Sequence, residues 1–196
     1  KKVYDSVFES DVTVIRSSSG QGKSTLAWQT GYDLKEKNNY SIYELRSCKD
    51  YNEANSIAEF LESRILIGEK PLLIIDGLNT LVESWFEIVS TTRDFPVKYL
   101  LTTRQEDWFR FGADISRINL TTVDISLSMA EAKDMFEELK RKNKIHPDIQ
   151  KWQPVWEQIH PKGLLIEYTY LLTRGQMIEE RLSAQINYLS DSKSAG

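Results

Sequence analysis

The chain has 196 residues, 40% of them hydrophobic and 28% charged, with 25 Lys and Arg against 29 Asp and Glu and a formal net charge of -4. That is enough apolar material for one large domain, or a domain with a smaller companion, and it excludes disordered, collagen-like and disulfide-stapled chains, because the single Cys48 has no partner within the chain. The mild acidity lacks the basic excess that drives binding to a phosphate backbone, so nucleic acid is not an expected partner.

No apolar run approaches the roughly 18 residues of a membrane span; Pro71 to Ile75 is the longest candidate. The opening Lys1-Lys2-Val3-Tyr4-Asp5-Ser6 carries charge where a secretory leader has its apolar core. No membrane partner is expected, and a reducing, cytoplasmic setting is. The first residue is not Met, and the ending Ser190-Asp191-Ser192-Lys193-Ser194-Ala195-Gly196 is small and polar, which together suggest a segment of a longer protein.

Strand-like and helix-like runs alternate through the first two thirds: Val12 to Arg16, Thr25 to Lys35, Ser41 to Arg46, Asn52 to Leu66, Leu72 to Ile75, a mixed segment from Leu81, then Lys98 to Thr102. This rhythm predicts right-handed crossovers and a parallel sheet. Strands such as Leu72-Leu73-Ile74-Ile75, apolar without alternation, predict helices on both faces of it. After about Thr122 the pattern changes. Ser128 and Glu131 have capping-box spacing, and Ala132, Met135, Phe136 and Leu139 form one helical stripe. Further helices are expected from Leu164 to Leu172 and along Ile178, Leu182, Ile186 and Leu189. The expected division is therefore an α/β domain over residues 1–122 and a small helical domain over 123–196.

The strongest motif is Ser17-Ser18-Ser19-Gly20-Gln21-Gly22-Lys23-Ser24-Thr25, placed after a strand and before a helix. Glycines there let successive N–H groups and the helix N-terminus point at an anion; Lys23 supplies charge for β and γ phosphates, and the Ser24 hydroxyl a ligand for Mg²⁺. Ser17 replaces the first glycine of the usual phosphate-loop pattern. A second signal, Pro71-Leu72-Leu73-Ile74-Ile75-Asp76-Gly77-Leu78-Asn79, is an apolar strand ending in an acid that either holds Mg²⁺ or caps a solvated turn. A third, Tyr99-Leu100-Leu101-Thr102-Thr103-Arg104, runs a strand into a guanidinium able to report on a γ-phosphate, or into a plain surface arginine.

In this order, and followed by His160-Pro161-Lys162-Gly163-Leu164-Leu165, these motifs resemble the nucleotide-binding module of STAND NTPases, the signalling ATPases that include NACHT and NB-ARC proteins and bacterial antiviral members. The resemblance covers nearly the whole chain. It implies a P-loop NTPase α/β fold followed by a small helical, lid-like domain, with ATP or ADP and Mg²⁺ as cofactors. It makes Lys23 the phosphate lysine, Ser24 and Asp76 the Mg²⁺ positions and Arg104 the sensor arginine, with Ser19, Gly20, Gln21, Gly22 and Thr25 completing the phosphate cradle. Gly163 and Leu164 fall where the family's G-L-P-L element packs near adenine, with Leu165 in place of its proline. His160 is either a phosphate sensor or simply the residue before Pro161. The resemblance also implies self-association in the full-length protein and an unidentified protein ligand.

NACHT-like modules carry further acids after the D-G-L turn, whereas this chain has Asn79 and Thr80. Asn can orient a water but cannot take its proton, so slow hydrolysis is expected, with Glu83 a weaker candidate base. A guanine-reading Asn-Lys-x-Asp is absent, Asn143-Lys144-Ile145-His146 lacking the Asp, and so is the ABC signature; ATP is preferred to GTP. The alternatives are a small-molecule kinase and a catalytically inert interaction domain. Cys48, with no neighbouring His or second Cys in its motif, reads as a packing residue, and Trp152 and Trp156 alone among the tryptophans share a helical face.

Overall fold

Val12–Arg16 (β1), Ser41–Glu44 (β2), Pro71–Asp76 (β3), Lys98–Thr103 (β4) and Leu120–Asp124 (β5) pair in parallel as one sheet in the order β2-β3-β4-β1-β5. The computed structural model describes residues 2–111, 118–161, 163–178, 180–183 and 185–186. It resolves into two compact units, Lys1–Ile125 and Ser126–Gly196. β5 runs through residue 122, where the sequence pattern put the division, and its pairing with β1 carries the α/β unit to Ile125.

In the first unit the helices are α1 (Lys2–Glu9), α2 (Lys23–Asn38), α3 (Tyr51–Leu66), α4 (Trp85–Thr91) and α5 (Gln105–Phe111). Alternate strand residues feed two cores. Ile15, Leu72, Ile74 and Leu100 pack with Val3 and Val7 of α1 and Ala27 and Leu34 of α2. Val12, Val14, Leu73, Ile75, Tyr99 and Leu101 pack with Leu61 of α3, Trp85 and Ile88 of α4, and the half-buried Trp108 and Phe111 of α5. A strand covered on both faces has no position for a solvated side chain, which is why Leu72 to Ile75 is unbroken; each such side chain contributes roughly 1.5–3 kcal/mol by burial. α2 lies close against β3 at Gly31, where a Cβ would stand 2.9 Å from Ile74 Cδ1. That approach accounts for a glycine in mid-helix despite its poor propensity.

The topology positions the site. β1 and β4 are neighbours, but the chain leaves β1 for α2 on one face and leaves β4 for α5 on the other. Loops that diverge in this way open a crevice at the carboxyl ends of the two strands.

The second unit contains α6 (Met129–Arg141), α7 (Trp152–Ile159) and α8 (Leu165–Arg174). The capping box is formed: the Ser128 hydroxyl accepts the Glu131 N–H while the Glu131 carboxylate accepts the Ser128 N–H. Ala132, Phe136, Val155, Trp156, Ile159, Tyr168, Leu171 and Leu172 form the core, and the buried Tyr168 hydroxyl donates to the Ala132 carbonyl at 2.9 Å. The last expected stripe is only partly realised. Residues 178–186 are helical where described, but Leu182 and Ile186 are 52% and 64% exposed and do not join this core; Leu189 lies outside the described residues. No helix among the described residues is long and apolar enough to cross a membrane.

Candidate functional site

At the end of β1, residues 17–22 turn through Gly20 and Gly22 at φ 77° and 78°, a left-handed conformation that costs a side-chain-bearing residue and is free to glycine. Ser19 is exposed and Gln21 buried. α2 follows directly, with Gly22 as its N-cap, no side-chain cap and no acid in its first turn of Lys23, Ser24 and Thr25. α3 and α6 differ: Asp50 and Ser128 cap them, with Glu53 and Glu131 in the first turn. The positive end of the α2 dipole thus has no acid of its own helix beside it, and the carboxylate it meets is Asp76 of β3, through Ser24.

Lys23 bends back over its own loop, Nζ donating to the carbonyls of Ser17 at 3.0 Å and Ser18 at 2.8 Å. Burial holds its amine below the ordinary lysine value, and the Arg104 guanidinium lowers it further against the opposing pull of Glu106, Asp76 and Asp107. Two cations from the ends of β1 and β4 therefore act on one another across the crevice. Arg104 is exposed, lies 3.8 Å from Asp107, and its carbonyl accepts the Trp108 N–H at the start of α5.

Asp76 ends β3 in register with Thr102 of β4. Its Oδ1 accepts two hydroxyls, Ser24 Oγ at 2.8 Å and Thr102 Oγ1 at 2.6 Å. The Thr102 carbonyl accepts the N–H groups of both Gly77 and Leu78 at 3.2 Å, which straps the turn after Asp76 to β4. Thr103, next along, accepts the Ser17 N–H at 3.3 Å, so the end of β4 is joined to the glycine loop as well.

The structure sets Ser24 against Asp76 and keeps Lys23 over its own loop, within electrostatic reach of Asp76 and Arg104. Asn79 is engaged locally: its Oδ1 accepts the Leu81 N–H at 2.8 Å and its Nδ2 donates to the Gly77 carbonyl at 3.0 Å, capping a short 3-10 turn over Thr80–Val82. Glu83 is exposed at the far end of that turn. Thr102 is the site residue that sequence reasoning passed over. Two hydroxyls before an arginine are visible in the strand, but the register that sets one of them against Asp76 is not a property of either strand alone.

Gly163 and Leu164 belong to the second unit. Gly163 is buried at φ 51° beside the Trp156 ring and donates to the Ile159 carbonyl at 3.0 Å, while Leu164 is the N-cap of α8. His160 is exposed, its ring 5.8 Å from that of Trp156. In the first unit, Cys48 is fully buried and burial pushes its thiol up to about 11, which suits packing and not nucleophilic chemistry.

No family model matches the chain, and no curated protein matches it. Among solved structures it is similar to a chain in the HORMA:CdnC:Trip13 complex of E. coli MS115-1, at 13% sequence identity and a TM-score of 0.48, over 88% of this chain and 75% of that one.

Proposed function

We propose that this chain is the nucleotide-binding switch module of a larger signalling or defence ATPase of the STAND kind, which binds ATP with Mg²⁺, hydrolyses it slowly, and changes conformation and self-association with the nucleotide. The observation that carries the reading is the convergence, at the carboxyl ends of β1, β3 and β4, of a left-handed glycine loop, a helix N-terminus without a side-chain cap, the cations Lys23 and Arg104, and a hydroxyl–carboxylate contact between Ser24 and Asp76. Two cations acting on one another beside a helix N-terminus that has no capping side chain suit a polyphosphate.

The donor set fits Mg²⁺ on its own chemistry. A hydroxyl and a carboxylate are the oxygen ligands that a hard cation takes. Among the described residues no three His, Cys, Asp or Glu side chains gather as a metal cage, which fits an ion completed by phosphate oxygens and water. When bound, the metal neutralises charge on the β and γ phosphates. Ser24, whose hydroxyl donates its hydrogen to Asp76, keeps its oxygen lone pairs available. Lys23 exchanges the Ser17 and Ser18 carbonyls for phosphate oxygens, and Arg104 reads the γ-phosphate, so tri- and diphosphate bind with different contacts. Asn79 offers no carboxylate to take a proton from an attacking water, which supports slow turnover and a switch in preference to a pump. By the family resemblance Gly163 and Leu164 pack near adenine, the setting is cytoplasmic, and an unidentified protein ligand acts on the full-length protein.

Thermal unfolding tests the reading. Mg·ATP at a hundred times its Kd stabilises a binding-competent fold by about 2.7 kcal/mol, and Lys23→Ala should abolish the rise in melting temperature. A rise that persists in Lys23→Ala overturns the role of Lys23. Rapid phosphorylation of a small-molecule acceptor would indicate a kinase, and no binding at millimolar Mg·ATP an inert interaction domain.

A further inference from the structure

We propose that Thr102 is a positioning residue for the Mg²⁺ carboxylate: its hydroxyl and carbonyl together fix the orientation of Asp76. The inference rests on the nucleotide-binding reading above and names a component that the motifs do not assign.

Asp76 is exposed at a strand end, where an aspartate ordinarily turns freely about χ1 and χ2. Thr102, by contrast, is 1% exposed, on a strand that lies between β1 and β3. Its hydroxyl donates to Asp76 Oδ1 at 2.6 Å, and that oxygen also takes the Ser24 hydroxyl at 2.8 Å. Two donors on one oxygen define the carboxylate plane and leave Oδ2 without a protein donor among the described residues. The main chain adds a second restraint, because the Thr102 carbonyl holds the N–H groups of Gly77 and Leu78 just beyond the aspartate. Arg104 stands two residues further along the same strand end. The carboxylate for the metal and the guanidinium for the γ-phosphate are therefore referenced to one rigid strand, which pre-organises both for a ligand that must meet them together.

A merely structural threonine would fill the same space without regard to the metal, and the hydroxyl alone separates the two roles. In the full chain, the Mg²⁺ concentration giving half-maximal thermal stabilisation is measured at fixed ATP, alongside ATP binding in EDTA. Thr102→Val, which keeps the shape and loses the hydroxyl, should need about tenfold more Mg²⁺, the equivalent of about 1.4 kcal/mol for one charge-assisted hydrogen bond. Its EDTA binding should match that of the wild type, and Thr102→Ser should titrate within about twofold of it. If Thr102→Val folds poorly, the pair Thr102→Ala and Thr102→Ser, which differ from one another by the hydroxyl, should show the same separation. Equal Mg²⁺ requirement in wild type and Thr102→Val overturns the proposal, as does an equal loss of EDTA binding. Absence of Mg²⁺-dependent ATP binding in the wild type overturns the nucleotide reading itself, which is a different result.

Discussion

Arg16 and Asp124, 108 positions apart, close β1 onto β5 through a two-pronged ion pair, Nε to Oδ1 at 2.7 Å and Nη2 to Oδ2 at 3.0 Å. The residues are also in register, and the Arg16 carbonyl accepts the Ile125 N–H at 3.0 Å. Arg16 is the last residue of the strand that feeds the glycine loop, so the pair ties the base of that loop to the final residues of the α/β unit.

This pair predicts a pH dependence. Hydrogen bonding by Arg16, and then its charge, hold the Asp124 carboxyl below the ordinary carboxylate range despite an opposing desolvation effect. A depressed folded-state value stabilises the fold above the unfolded value near 4, and that stability is lost as the pH falls through the folded value. The Asp124 side chain is 66% exposed, so the contribution at pH 7 is under about 1 kcal/mol. Asp124→Asn should therefore lower the urea midpoint at pH 7, with the gap from wild type closing as the pH falls below about 4. A gap independent of pH would show that the amide acts through packing or backbone and not through lost charge.

Arg104 predicts a split between nucleotides. Its guanidinium is exposed and only loosely held at 3.8 Å by Asp107, which leaves it free to be recruited by a ligand. Arg104→Met keeps much of the apolar stem and removes the charge. It should weaken ATP binding by about 10- to 100-fold, in line with one hydrogen bond between charged groups, and leave ADP binding within about threefold of wild type. Calorimetry with both nucleotides checks this, and equal losses for the two would deny Arg104 a role at the γ-phosphate.

The parts of the fold that could be read from sequence are those in which one segment carries its own signal. β1, β3 and β4 announce themselves because burial on both faces leaves adjacent apolar residues, Val14-Ile15, Leu72 to Ile75 and Tyr99 to Leu101, without alternation, and α6 because its capping box is local. β5 carries no such signal, and α1 only a short helical stripe of Val3, Tyr4, Val7 and Phe8. α1 buries only Val3, Ser6 and Val7, and β5 places two threonines beside the buried Val123 and is recognised as a strand only through its pairing with β1. The strand order is likewise a property of crossovers and not of any strand. That is why the approach of Ser24 to Asp76 could be anticipated from motif order, whereas the contact of Thr102 with Asp76, which needs β4 inserted between β1 and β3, could not. At the other end of the chain, the Ile178, Leu182 and Ile186 stripe has helical spacing, but spacing specifies a face and not what covers it.

Cys48 predicts a protected thiol. It is fully buried, and its backbone ties the segment after β2 to the turn after β3, accepting the Ser84 N–H at 3.0 Å and donating to the Leu81 carbonyl at 2.7 Å. Desolvation by burial, with Glu53, Asp50 and Glu87 adding to it, pushes the thiol up to about 11. Against an ordinary value near 8.5, ionisation alone should slow alkylation at pH 8 by about a hundredfold or more relative to the urea-unfolded chain. Mass-resolved iodoacetamide labelling measures both rates. Native labelling as fast as unfolded would mean that the segment opens readily.

In the second unit, Gly175 predicts a sharp local sensitivity. It ends α8 in the left-handed conformation at φ 73°, its N–H donating to the Leu171 carbonyl at 2.8 Å, and a Cβ there would stand 2.6 Å from His146 Nδ1. The ring cannot retreat without cost, since the His146 N–H is bonded to the Leu172 carbonyl at 2.8 Å and Nδ1 accepts the Asp148 N–H at 3.4 Å. Two penalties thus coincide, left-handed backbone in a residue with a side chain, about 1–2 kcal/mol, and the displacement of the ring. Gly175→Ala should destabilise this unit by about 2–3 kcal/mol in urea unfolding followed by Trp fluorescence or circular dichroism. Removing the ring first separates the two penalties. In a His146→Ala background the same substitution should lose only the backbone part, a coupling of about 1 kcal/mol in a double-mutant cycle, whereas strict additivity would mean that the ring gives way freely.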